Sequence, residues 1–141
     1  MTGRRVVLDS NVPLYALGAD SPWRDSCDRV MRLIAGGNLR AVASTEMIQE
    51  VVHHRLRMVG RPDAAADGRD LAELVDLVAF DEAVLDKALE LIEVTNVRGR
   101  DAIHAATALT QGISEIVSID PAFDAVPGLT RLDPRSVASG A

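Results

Sequence analysis

The stretch Arg5-Val6-Val7-Leu8-Asp9-Ser10-Asn11-Val12-Pro13 decides the fold. Val6 to Leu8 is a short aliphatic run of the kind a buried parallel strand carries, and Ser10, Asn11 and Pro13 are residues that open helices. The reading is a strand at about 5–9 running directly into a helix, with Asp9 at the junction. A second junction of the same kind lies far along the chain, where Ile116-Val117-Ser118-Ile119 ends in Asp120-Pro121. In open parallel sheets ligands bind beyond the carboxyl ends of the strands, so these two acids are expected to converge.

Between the two junctions, strands and helices alternate. A helix over 23–35 runs to Gly36-Gly37, a strand spans Arg40 to Ala43, and Ser44 or Thr45 caps a helix carrying Ile48, Val51, Val52, Leu56 and Val59 at helical spacing. Residues 61–70, with Pro62, Gly68 and several Asp and Ala, read as a loop. Leu77 to Phe80 reads as a short strand, followed by a helix from Asp81 that Asn96-Val97-Arg98-Gly99-Arg100 breaks. Asp101 then opens a helix over 102–111, and strands at 115–119 and 129–132 complete the pattern. Such alternation implies parallel pairing through right-handed crossovers, hence an α/β fold: a three-layer α/β/α sandwich around a central, mainly parallel sheet.

A chain of 141 residues is one ordinary domain, able to remove about 68% of its unfolded surface from water. The domain is expected over 1–134, with 135–141 a flexible tail that frays. Aromatic residues make up only 3% against 48% apolar overall, so the core has to be aliphatic. The single cysteine, Cys27, cannot form an internal disulfide and reads as a small buried hydrophobe in a reducing cytoplasm. No stretch has the length of a signal peptide core or a membrane span.

The formal charge of −6 argues against strong non-specific binding to nucleic acid, which arises from cationic side chains displacing counterions. It does not exclude a nuclease, because a metal ion adds local positive charge and Arg55, Arg57, Arg61, Arg98 and Arg100 can supply a basic rim. Lys87 is the only lysine among 15 basic residues, and arginine favours bidentate contacts to carboxylate or phosphate.

Each acid alone has a plain structural explanation. Asp101 reads as an N-cap or a first-turn acid complementing a helix dipole, Asp120 as the opening of a turn before Pro121, and Glu50 in mid-helix as a solvated charge. Asp9 is harder to explain that way, since a carboxylate directly after a buried strand is unfavourable without a partner. Acids at the exits of the first and last main strands, with another at a helix start, are what a divalent-cation site requires. Mg2+ and Mn2+ take oxygen ligands, keep several waters, and are held by one or two carboxylates plus substrate phosphate.

Four blocks in this order, Leu8-Asp9-Ser10-Asn11-Val12, Ile48-Gln49-Glu50-Val51, Arg100-Asp101-Ala102-Ile103-His104-Ala105-Ala106-Thr107-Ala108-Leu109, and Ser118-Ile119-Asp120 with Phe123-Asp124, resemble the motifs of PIN-domain ribonucleases. More narrowly, the chain resembles the VapC-like toxins of bacterial toxin–antitoxin pairs, from Val6 to about Pro134. The resemblance implies a Mg2+-dependent endoribonuclease, with Mn2+ as substitute, in which Asp9, Glu50, Asp101 and Asp120 form the acidic cluster. Asp9 and Asp101 are then the direct ligands, with Glu50, Asp120 and Asp124 as a second tier and Asp124 as a substitute for Asp120. Asn11, Ser118 and Arg100 stand beside the cluster as orienting groups. Ser10 departs from the more usual threonine but keeps the hydroxyl. The resemblance also implies a cytoplasmic homodimer held inactive by a cognate antitoxin whose peptide crosses the site, an RNA substrate, and no membrane partner.

Other features carry plainer readings. His104 lies one turn after Asp101 and reads as a packed histidine in an Ala-rich helix; His53 and His54, adjacent on a helix, point apart and do not share a metal. Trp23 reads as an anchor at a helix start or in the dimer interface rather than a base-stacking group. The rival enzyme class, a phosphoryl-transfer fold of the receiver or haloacid-dehalogenase kind, also places an Asp after its first strand. It needs a lysine near the site, whereas Lys87 lies within an amphipathic helix, and Asn11 stands where the phosphatase pattern has its second acid. The rival of a different class is a catalytically silent module whose acids dock an Arg-bearing partner.

Overall fold

Strand β1 (Arg5–Leu8) sends Val6 and Leu8 to one face of the sheet and Val7 to the other, and all three are fully buried. The computed structural model describes residues 4–140; residues 1–3, where the expected domain begins, and Ala141, where the expected tail ends, lie outside the described residues. The same two-residue alternation recurs in β2 (Arg40–Ser44), with Ala41 and Ala43 opposite Val42, and in β4 (Glu115–Val117), with Ile116 opposite Val117. Strands apolar on both faces must be covered on both, which is what a three-layer fold provides.

Five strands form the sheet in the order β3-β2-β1-β4-β5, with β3 at Asp76–Val78 and β5 at Thr130–Leu132, and every pairing is parallel. One face is covered by α1 (Asn11–Leu17), α2 (Arg24–Ala35) and α3 (Thr45–Arg55), packed through Val12, Cys27, Val30, Met47 and Val51. The opposite face is covered by α5 (Glu82–Val94) and α6 (Gly99–Thr110), whose Ala102, Ala105, Ala106 and Ala108 allow the helix backbone to lie close to the strands. The chain builds outward from β1 to β2 and β3, then returns to add β4 and β5 on the other side. The order therefore reverses between β1 and β4, and the crevice above their carboxyl ends is the topological switch point.

Two expectations are corrected. Residues 61–70 do not form a loop; they belong to α4 (Arg61–Leu74). Pro62 lies in the first turn, where its missing N–H costs nothing, and Asp63 complements the dipole there. Gly68 is a close-approach residue rather than a breaker: an added Cβ would lie 2.6 Å from Val52 Cγ2 of α3. Arg55 Nε then ties the two helices together by donating to Asp67 at 2.9 Å.

The segment after Pro134 does not fray either, but forms α7 (Pro134–Gly140) against α2. Asp133 Oδ1 accepts from the Arg135 amide at 2.8 Å, Pro134 is buried, and the Arg135 guanidinium lies 4.3 Å from the centroid of the Trp23 ring. Trp23, immediately before α2, is thus the anchor for the tail. No helix among the described residues is long and apolar enough to cross a membrane.

Candidate active site

Asp9 leaves β1 at the switch point and is 3% exposed, although its backbone N–H continues the ladder by donating to Val117 O at 3.1 Å. Burial alone would make a bare carboxylate costly, and its oxygens are met by donors. Oδ1 accepts from the Ser10 amide at 2.8 Å, and Oδ2 accepts from Ser118 Oγ at 2.6 Å and from Asn11 Nδ2 at 3.1 Å. Ser118 has just left β4, so its hydroxyl spans the two strand exits. It also accepts from Asn11 Nδ2 at 3.2 Å and from the Asp120 amide at 3.0 Å, which fixes where the next acid begins. Asp120 keeps its turn role as well, since Oδ1 caps the 3-10 turn Pro121–Ala125 by accepting from the Ala122 amide at 2.9 Å.

The other two acids come from helices in opposite layers. Glu50, in the middle of α3, is buried rather than solvated, and Asp101 stands in the first turn of α6. Burial pushes the Asp101 carboxyl up to about 6; the negative charges of Asp9 and Asp120 and a hydrogen bond shared with Asp120 add to this, while His104 opposes it. Asp9 is raised too, by burial first, against the pull of His104, Ser118 and the Ser10 amide. Asp101 is thus close enough to Asp9 and to Asp120 to feel the charge of each.

His104 is the residue sequence reading undervalued. It is a buried histidine as expected, but Nε2 lies 2.5 Å from Glu50 Oε1 and 3.8 Å from Asp9 Oδ1, inside the cluster. Burial works to lower its pKa, and the hydrogen bond to Glu50 with the charges of Asp9, Glu50 and Asp101 outweighs it, so the imidazole is raised overall. The available signal was its spacing three residues from Asp101, which puts both on one helix face. Arg100 Nη1 stands 3.7 Å from Glu50 Oε2.

Asp124 does not act as a free acid. Arg131 grips it through Nε to Oδ1 at 3.0 Å and Nη2 to Oδ2 at 3.3 Å, and the same guanidinium donates to Ser118 O at 3.2 Å. Of the expected basic rim, Arg55 is committed to Asp67, and Arg98 precedes the first turn of α6.

Residues 6–129 match the family model described as PIN domain. The chain belongs to the PIN-domain family. Within it, the chain is similar to Ribonuclease VapC7 of Mycobacterium tuberculosis, 40% identical over 121 residues that cover 84% of this chain and 83% of that protein. Among solved structures it resembles VapBC2 from Rickettsia felis bound to a promoter DNA fragment, with a TM-score of 0.72 at 16% identity, covering 91% and 97% of the two chains. It also resembles a toxin–antitoxin complex from Klebsiella pneumoniae, with a TM-score of 0.70 at 13% identity, covering 92% and 97%. At such identities the structural likeness shows the PIN-like fold.

Whether this PIN domain's acids suit a divalent cation is decided by their charge and chemistry. Among the described residues no three His, Cys, Asp or Glu side chains form a ready-made ion shell. Mg2+ does not require one, since it keeps several waters and takes one or two protein carboxylates. Asp9, which is buried, and Asp101, which is half-buried, offer hard oxygen donors in a strongly negative place, and among the described residues neither Asp101 nor Asp120 has a Lys or Arg partner. Asn11 Oδ1 is also buried without a hydrogen-bond partner. The set fits a hard cation.

Proposed function

We propose that the chain is a Mg2+- or Mn2+-dependent endoribonuclease, the toxin of a toxin–antitoxin pair, that hydrolyses RNA phosphodiester bonds at the Asp9, Glu50, Asp101 and Asp120 cluster. The observation that carries this reading is the convergence at the switch point of Asp9 and Asp120, joined through the Ser118 hydroxyl, with Asp101 beside them. Three acids without a Lys or Arg partner among the described residues do not gather for stability, because each raises the cost of ionising the next. Family membership and the ribonuclease relative supply the chemistry: phosphodiester hydrolysis in RNA.

In this reading Asp9 and Asp101 hold the ion, and Asp120 adds charge beside them. A divalent cation bound there lowers the pKa of water and neutralises the phosphodiester. Asn11 and Ser118 keep the Asp9 carboxylate in one orientation through their bonds to Oδ2. Arg100, with its side chain more than half exposed at the rim, is placed to meet a phosphate arriving from solvent. The same reading includes a homodimer, a cytoplasmic location, and a cognate antitoxin, as in the Klebsiella complex.

The test is cleavage of total RNA by purified, antitoxin-free protein in Mg2+, in Mn2+ and in EDTA. Discrete fragments that vanish in EDTA and in Asp9→Ala/Asp101→Ala are the expected result. Intact RNA under every condition, from folded protein, would instead favour the silent binding module.

A further inference from the structure

Glu50 and His104 meet from opposite layers of the sandwich. Glu50 rides on α3, which packs on one face of the sheet, and His104 on α6, which packs on the other. The two residues are 6% and 1% exposed, and their side chains close to 2.5 Å over the carboxyl edge of the strands. His104 Nδ1 is buried with no partner, so Nε2 is the only polar atom of the ring that is engaged, and Glu50 Oε1 is what it engages. The other Glu50 oxygen lies 3.7 Å from Arg100 Nη1, also on α6. Both oxygens of Glu50 therefore face nitrogen donors from one helix. Among the described residues Asp101 has no nitrogen donor bonded to its carboxylate, and its strongest charged neighbours are Asp9 and Asp120.

From this difference we infer that His104 is a positioning residue: it holds Glu50 outside the direct shell of the cation, so that Asp9 and Asp101 bind the ion and Glu50 serves hydrolysis as a fixed acceptor. The inference rests on the functional reading above and deepens it. Glu50 Oε1 is occupied by the imidazole, and exchanging that bond for a ligand would leave the buried imidazole with both nitrogens unpartnered. Residues that orient a site without touching the ion characteristically change activity by about 10–100-fold when removed.

The experiment compares wild type, Glu50→Gln, His104→Ala, His104→Gln and Asp101→Asn by three readouts. These are Mn2+ affinity by calorimetry, kcat and KM for RNA cleavage, and the imidazole N–H resonance of 15N-histidine-labelled metal-free protein. Glu50→Gln and His104→Ala are expected to keep Mn2+ Kd and KM within about threefold while kcat falls at least about tenfold, and His104→Gln, which restores a donor near Nε2, is expected to recover most of it. Asp101→Asn is expected to weaken Mn2+ binding at least about tenfold. In the metal-free protein a low-field His104 Nε2–H signal is expected that moves upfield in Glu50→Gln. A tenfold loss of Mn2+ affinity in Glu50→Gln would overturn the inference, as would wild-type kcat in His104→Ala or a His104 resonance indifferent to Glu50→Gln. If wild type neither binds Mn2+ nor cleaves RNA, the functional reading fails; the imidazole resonance still decides the His104–Glu50 contact, independently of turnover.

Discussion

Ser118 donates its hydroxyl to Asp9 Oδ2 at 2.6 Å, across 109 positions of sequence, and so fastens the exit of β4 to the exit of β1. The Ser118 oxygen itself accepts from the Asp120 amide and from Asn11 Nδ2, so one buried hydroxyl sets the places of two acids and an amide. Ser118→Ala leaves Asp9 Oδ2 with Asn11 alone. A loss of about 1–3 kcal/mol is expected in chemical denaturation, together with a fall in cleavage larger than the unfolded fraction accounts for. Cleavage falling only in step with folding would count against an orienting role.

The metal-free protein should become less stable as pH rises. Asp9, Asp101 and His104 all hold protons more tightly when folded than free side chains do. A raised carboxyl costs stability once it must ionise, so for Asp101 the loss accrues between the ordinary 3.8 and about 6. A raised imidazole acts in the same direction, its contribution being whole below the ordinary 6.5 and lost as pH climbs through the folded value. Asp101→Asn removes one of these raised carboxyls. Discounted for partial solvent screening, it should stabilise the metal-free protein at neutral pH by about 1 kcal/mol, or about 3 °C in Tm. An unchanged or lowered Tm in EDTA would mean that the acids do not crowd.

Asp124 and Asp120 should separate cleanly. Asp124 is spent on Arg131 at the surface, so Asp124→Asn should cost no more than about 1 kcal/mol and leave cleavage within about twofold. Asp120→Asn, which acts on the carboxyl beside Asp101, should reduce cleavage at least about tenfold. Equal effects in the two variants would show that Asp124 belongs to the site.

Gly68→Ala sets two effects in opposition. Alanine gains about 1 kcal/mol in helix propensity over glycine, but its Cβ meets a Val52 branch whose helical rotamer has little freedom, and such overpacking costs about 1–3 kcal/mol. The net expectation is destabilisation, relieved in the double variant Gly68→Ala/Val52→Ala. A more stable Gly68→Ala would show that α3 and α4 can move apart without cost.

The fold was legible because its strands carry their message locally. Val6, Val7 and Leu8 are apolar on both faces, and the acids at the ends of β1 and β4 mark the switch point even without knowledge of strand order. Residues 61–70 were misread because Pro62 and Gly68 signal loops in isolation; that one starts a helix and the other admits Val52 depends on a neighbour outside the local window. The tail was misread for a similar reason, since Arg135 becomes ordered through Trp23, far away in sequence. At the site, the acids were legible from their junctions. The His104–Glu50 contact was not, because no local pattern says that α3 and α6 lean toward each other over the sheet edge. Arg131's hold on Asp124 was hidden in the same way.

Whether Asp9 and Asp101 hold a divalent cation can be seen in a Mn2+-soaked crystal of the metal-free protein, through the anomalous scattering of manganese. One strong peak is expected about 2.1–2.3 Å from an oxygen of Asp9 and from an oxygen of Asp101, with Glu50 still bonded to His104. No peak at the switch point in Mn2+ well above millimolar, or a peak bound by neither Asp9 nor Asp101, would contradict it.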